Sequence, residues 1–136
     1  MALIPIEERL FRMDGETPVL RGSRCAACGK SFFPERRLCP ICLEPVSNVE
    51  LSRTGTLHSH TYVHLPLFGA VRIDSNGYGV GQIDLPEGVR IQAVLVGDPG
   101  SFRIGMPMRS VAEVVHEKEG DSVVIFRFAA DERPGA

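Results

Sequence analysis

The sequence predicts a mainly β protein in which a small four-cysteine metal lobe, led in by a short helix, precedes a five-stranded barrel. Two observations carry this prediction. All four cysteines fall between Cys25 and Cys42, spaced Cys-x2-Cys, ten residues, Cys-x2-Cys. From residue 51 onward, apolar residues alternate with polar ones in short runs separated by Gly and Pro, the signature of half-buried strands.

A chain of 136 residues holds one ordinary domain or two very small ones. Hydrophobic residues at 43% and charged residues at 24% place it among soluble globular proteins rather than disordered ones. A net charge of −2 and a pI near 6.1 count against a general nucleic-acid binder, which is usually basic. The stretch from Met1 to Glu16 interleaves acids and arginines with apolar residues, so it does not read as a secretory signal. No apolar run approaches bilayer length. The expectation is a cytoplasmic protein with no membrane contact and with reduced thiols.

In chain order, residues 1–20 read as a helical lead-in. Ile4, Ile6, Leu10, Phe11 and Met13 fit a short amphipathic helix, Pro5 is acceptable in its first turn, and Gly15 ends it. Residues 21–50 carry the cysteines, and Gly29, Pro34, Pro40 and Pro45 leave room only for tight knuckles and small strands. Residues 51–130 form the β region. Thr56–Leu65 reads as a strand with Leu57, Val63 and Leu65 on one face and His58, His60, Tyr62 and His64 on the other. A glycine-rich loop follows, then Val80–Leu85 and Val89–Val96 as a hairpin around Pro86-Glu87-Gly88. The link from Gly97 to Pro107 is too broken for more than one helical turn. Met108–His116 and Ser122–Phe128 complete the set, and residues 131–136 read as a disordered tail. Five strands in this order suit the OB-fold, a five-stranded Greek-key barrel, better than a sandwich.

The double knuckle points to one structural metal ion held by Cys25, Cys28, Cys39 and Cys42. Four sulfurs can converge tetrahedrally, thiolates are the soft donors zinc accepts, and Gly29 permits the turn that aims amides back at sulfur. A four-thiolate site is coordinatively closed, so its role is structural. Iron in the same site, making an electron-transfer protein, is the chemical rival; a redox dithiol would need only one Cys-x2-Cys.

Arg21, Arg24, Lys30, Arg36 and Arg37 surround the cysteines. They make a candidate patch for phosphate groups or an acidic surface, or they simply offset the thiolate charge. His58, His60 and His64 could share one side of a strand, with alternate residues about 7 Å apart, but no nearby acid completes a second metal site. Gly-x-Ser-x-Gly and a fifth cysteine for thioester chemistry are both missing. The glycines at 69, 77, 79 and 81 lack phosphate-loop spacing. The apolar tip Leu65-Pro66-Leu67-Phe68 suggests a partner contact. By itself, this chain does not read as a catalyst.

Arg24 to Gly29, Cys39 to Cys42, Gly55 to Tyr62, Glu87 to Ile91 and Ile104 to Pro107 together resemble the family of zinc-ribbon plus OB-fold proteins associated with acyl-CoA enzymes. The resemblance runs from about residue 5 to 128. It implies an N-terminal helix, a rubredoxin-like zinc ribbon and a C-terminal OB-fold. It also implies an accessory subunit of a thiolase-superfamily or related complex, in which the partner chain supplies the catalytic groups and a CoA thioester is the substrate. On that reading Arg24, Arg36 and Arg37 are the candidate CoA contacts, and with Leu67 and Phe68 the candidate partner surface. The competing reading is a single-stranded nucleic-acid module, since both folds serve that purpose; the absence of tryptophan and of a basic run in the β region disfavours it.

Overall fold

The computed structural model describes residues 2–64 and 77–131. The expected barrel is present. It consists of β6 (Thr54–Val63), β7 (Tyr78–Asp84), β8 (Arg90–Val96), β9 (Pro107–Lys118) and β10 (Asp121–Ala130). Hydrogen-bonded order runs β8-β7-β6-β9, and β10 pairs antiparallel with β9 and parallel with β8, through Phe128↔Leu95 and Ala129↔Val96. That parallel contact closes the sheet with OB connectivity. Alternation puts Ile83, Ile91, Ala93, Leu95, Val124 and Phe128 inside. The link after β8 holds only a 3-10 turn, Pro99–Ser101, and then Phe102. The Phe102 ring fits over β7 because Gly79 and Gly97 leave room; a Cβ on Gly79 would sit 3.0 Å from it.

The helix expected in residues 1–20 does not form; among the described residues this stretch is short strands joined by turns. β1 (Leu3–Pro5) runs parallel to the start of β10, with Leu3↔Ser122 and Pro5↔Val124, and Ile6 N–H donates to Val124 O at 2.8 Å. β2 (Phe11–Asp14) forms a hairpin with β3 (Thr17–Arg24). Gly15, with φ of +63°, does not stop a helix; it takes the left-handed position of a two-residue hairpin turn. A short apolar run has no secure period of its own, and here a partner strand more than a hundred residues away supplies its hydrogen bonds.

β3 is the spine of the front lobe. β4 (Ser31–Phe32) and β5 (Ser47–Glu50) both pair with it, leaving the cysteine knuckles to project beyond Arg24. The two sheets share one core: Phe11, Leu20 and Leu51 pack with the barrel interior. Phe126 is the joint, its ring 5.5 Å from Phe11 and 6.1 Å from Phe33, both edge-to-face. Buried Ser110 donates to Pro18 O at 2.9 Å across the same seam. Glu87, from the β7–β8 turn, accepts from the Ser52 amide at 2.9 Å and its hydroxyl at 2.8 Å, fixing the chain as it enters the barrel.

The face assignment along β6 needs correction. Leu57 lies opposite Ile83 and is fully buried, but Ser59 lies opposite Gln82, so a β-bulge at His58 absorbs one residue. A one-residue shift reverses every later side chain. His58 therefore points outward. His60 and Tyr62, opposite Gly81 and Gly79, share the inner-face side near Phe102, and Val63 does not share Leu57's face. Leu67 and Phe68, the rest of that apolar loop and the tail from 132 lie outside the described residues.

Candidate metal centre and adjoining surface

Each Cys-x2-Cys is a tight turn of the same design. Gly29 N–H donates to Cys25 O at 2.7 Å and Cys25 N–H to Lys30 O at 2.9 Å; Leu43 N–H donates to Cys39 O at 2.9 Å and Cys39 N–H to Glu44 O at 2.8 Å. The knuckles thus superimpose residue for residue in their hydrogen bonding, Cys25 with Cys39 and Gly29 with Leu43. Both positions are left-handed, φ +75° at Gly29 and +62° at Leu43. Glycine takes that conformation freely, whereas a leucine there costs about 1–2 kcal/mol.

All four sulfurs lie within 4.8 Å of one another, with Cys25 Sγ to Cys42 Sγ at 3.4 Å and Cys28 Sγ to Cys39 Sγ at 3.6 Å. A tetrahedral zinc with bonds of about 2.3 Å sets its sulfurs about 3.8 Å apart, so the donor set and spacing fit the ion. Cys25 and Cys39 are buried, and Cys28 and Cys42 are exposed. Backbone amides prepare the site: the Cys42 amide first, against burial and with help from the Ile41 amide, lowers the Cys39 thiol to about 6. Cys42 stands at about 11; the Glu44 amide pulls it down, but the facing Cys25 sulfur and burial outweigh that pull. Without an ion the cluster carries protons unevenly, and bound zinc takes their place on sulfur.

Ser23 is a support that its sequence position does not advertise. Fully buried on β3, it accepts from the Arg36 amide at 2.8 Å and donates to Arg36 O at 3.3 Å. That clasp ties the strand entering the first knuckle to the loop entering the second.

Of the three arginines singled out from sequence, Arg36 and Arg37 line one cavity and Arg24 is not among its lining residues. Arg24 is exposed at the end of β3. Arg36 and Arg37 instead line a cavity of about 460 Å³ with Glu7, Arg9, Leu10, Pro34, Glu35 and Asn48. Arg9, on the turn between β1 and β2, is the cationic neighbour that sequence separation hid. Arg36 also lies over the Phe32 ring at 5.8 Å. Glu44 on the second knuckle joins Glu35 in offsetting the basic residues, so the lobe is less positive than its arginines suggest.

The bulge parts His58 from His60. His58 Nδ1 is 3.6 Å from the Asp84 carboxylate, which Arg90 holds at 2.6 Å and keeps below the usual carboxylate range. The His60 ring sits 6.0 Å from Phe102, and His64 lies 5.1 Å from Tyr62. Among the described residues, the four cysteines form the one cluster placed to hold a metal.

Two family models match consecutive stretches of the chain. The rubredoxin-like zinc ribbon domain of ChsH2 matches residues 14–47, and the C-terminal OB-fold domain of ChsH2 matches residues 48–113. The chain belongs to the ChsH2 family. Within it, the chain is similar to a benzoylsuccinyl-CoA thiolase subunit. The chain is 38% identical over 117 residues to the benzoylsuccinyl-CoA thiolase subunit BbsA of Thauera aromatica, covering 85% of this chain and 78% of that one. It is 33% identical to a DUF35 domain-containing scaffold protein of Methanothermobacter thermautotrophicus, covering 80% and 83%. A solved structure described as the Ltp2-ChsH2(DUF35) aldolase matches with a TM-score of 0.59 and 32% identity, over 80% of this chain and 84% of that one. No helix among the described residues is long and apolar enough to cross a membrane.

Proposed function

We propose that this chain is a non-catalytic accessory subunit of a thiolase-superfamily complex acting on acyl-CoA thioesters in the cytoplasm. The observation that carries the reading is chemical. All four cysteines converge on one closed site, so no thiol is left to form a thioester, and the bulge parts His58 from His60. The relatives, named as a thiolase subunit and as scaffold proteins, support the same division of labour. The catalytic chemistry then belongs to the partner chain. Zinc keeps the ribbon rigid, and the shared aromatic seam at Phe126 transmits that rigidity to the barrel.

For the CoA thioester, the cavity at Arg36 and Arg37, joined by Arg9, is the site with the right chemistry. Guanidinium groups recognise phosphate bidentately, and Asn48 and Leu10 offer polar and apolar walls for the remainder of the ligand. Arg24, on the end of β3, then serves the partner rather than the coenzyme. The acyl group to test first is 2-benzoylsuccinyl, by similarity to the thiolase subunit.

Purification of the tagged chain from its host should bring down a thiolase-like chain, and thiolysis of 2-benzoylsuccinyl-CoA should require both components. Full activity from the isolated chain would overturn the accessory role. Within the active complex, Arg36→Glu with Arg37→Glu should raise the KM for the CoA substrate about tenfold or more, leaving complex formation intact. An unchanged KM would remove coenzyme binding from this cavity. The nucleic-acid alternative would instead need tight, salt-sensitive binding of single strands. The outer faces of β7 and β8 carry one aromatic side chain, Tyr78, beside Gln82, Asp84, Arg90 and Gln92, too little to stack successive bases.

A further inference from the structure

The second zinc knuckle carries apolar surface that the ribbon fold does not require. Leu38, Ile41 and Leu43 are 51%, 60% and 70% exposed, all on the hairpin closed by the Leu38–Pro45 bridge. Pro40 and Pro45 on the same hairpin are exposed too, and its one charged side chain is Glu44. The first knuckle shows what the fold by itself asks for. There Pro40, Ile41 and Leu43 have as counterparts Ala26, Ala27 and Gly29, small residues in the same hydrogen-bonded turn, and Leu38 has the charged Arg24. Leu43 occupies the left-handed position that Gly29 fills without strain, and it gains no burial in return.

We infer that the tip of the second knuckle, Ile41 and Leu43 with Leu38 at its base, is the anchor by which this chain docks into an apolar cleft on the catalytic chain of its complex. The inference rests on the accessory-subunit reading and gives that reading a surface. Several features select this occupant. The tip is almost without charge, so its complement is an apolar cleft rather than a phosphate, an acidic face or a nucleic acid. With an ion bound, two of its four thiolate ligands, Cys39 and Cys42, would pin the hairpin, so little conformational freedom is lost when it inserts. The tip is also continuous with the arginine cavity: Arg36 and Arg37 line that cavity and immediately precede Leu38, and Val46 N–H donates back to Arg37 O at 3.4 Å. A cleft that swallows the tip therefore brings the catalytic chain against the mouth of the cavity proposed for the coenzyme.

The test uses two substitutions with opposite expectations for stability and docking. Leu43→Gly copies the first knuckle; it relieves the left-handed strain and removes the anchor. Leu43→Asp keeps a residue that tolerates this conformation and puts a charge at the tip. The thiolase-like chain that co-purifies with the wild type is identified by mass spectrometry, purified, and titrated with wild type and both variants by calorimetry. Zinc content and melting temperature are measured on each. Both variants should keep their zinc, and Leu43→Gly should melt no lower than wild type. Docking should weaken by about tenfold or more for Leu43→Gly and further for Leu43→Asp. Wild-type affinity in both variants overturns the docking tip while leaving the accessory role standing. Failure to recover any thiolase-like chain overturns both. A wild-type homodimer in sedimentation that Leu43→Asp dissociates would show that the tip seats a second copy of this chain, and would also overturn the proposal.

Discussion

Removing the zinc should unfold the knuckles and leave the barrel standing. Among the described residues, the buried side chains of the knuckle segment are Cys25 and Cys39 themselves. The barrel instead encloses Leu57, Ile83, Ile91, Leu95, Met108, Val124 and Phe128. Binding of structural zinc by four thiolates contributes about 10–16 kcal/mol, as much as or more than the 5–15 kcal/mol that stabilises a whole domain. No apolar contact within the knuckles can replace such a term. The Ser23–Arg36 clasp, a neutral side chain–backbone pairing, contributes only about 1 kcal/mol. The assay is hydrogen exchange followed by mass spectrometry before and after treatment with a strong zinc chelator under reducing conditions. The amides of Gly29, Cys39 and Leu43, which close the two turns, should lose protection entirely. Those of Leu57, Ile83 and Ile91 should retain most of theirs. Knuckle amides that stay protected in metal-free protein would show that packing, not the ion, holds the lobe, and the account of a metal-built docking piece would fail.

Acid should remove the metal only at low pH. A Cys39 thiol lowered to about 6 by backbone amides contributes its full stabilisation above the ordinary thiol value and loses it as pH falls through about 6. Bound zinc extends that range downward, so a zinc-sensitive dye should report the metal retained at pH about 6 and released only well below it; release above neutrality would contradict the amide stabilisation. Gly81→Ala should lower stability by about 1–3 kcal/mol with zinc content unchanged, because the added Cβ would lie 2.8 Å from Leu95 and 2.9 Å from Leu57 inside a closed barrel. A thermal melt that matches wild type would mean that those leucines can yield.

Elements whose determinants lie close together along the chain were legible before any coordinates. The four ligands sit on two short turns, and each turn is written in consecutive residues, so spacing alone locates the metal centre. The barrel strands were legible because each carries its own alternation between turn residues. Expected and observed ends differ by a few residues at most, as with Val89–Val96 against Arg90–Val96.

Tertiary contacts decided the rest. Leu3–Pro5 is a strand because β10 offers it an edge, and no local period encodes a partner at residue 122. Only the pairing of β6 with β7 shows the bulge at His58, where one extra residue turns His60 and His64 away from the face alternation assigns them. Arg9 reaches the cavity of Arg36 and Arg37 because β2, β3 and β5 fold the N-terminal turn over that loop. The sequence by itself therefore determined the four-cysteine cluster, the five barrel strands and the family. The folded chain decided which surfaces face outward together, because that depends on register and on contacts between residues far apart in sequence.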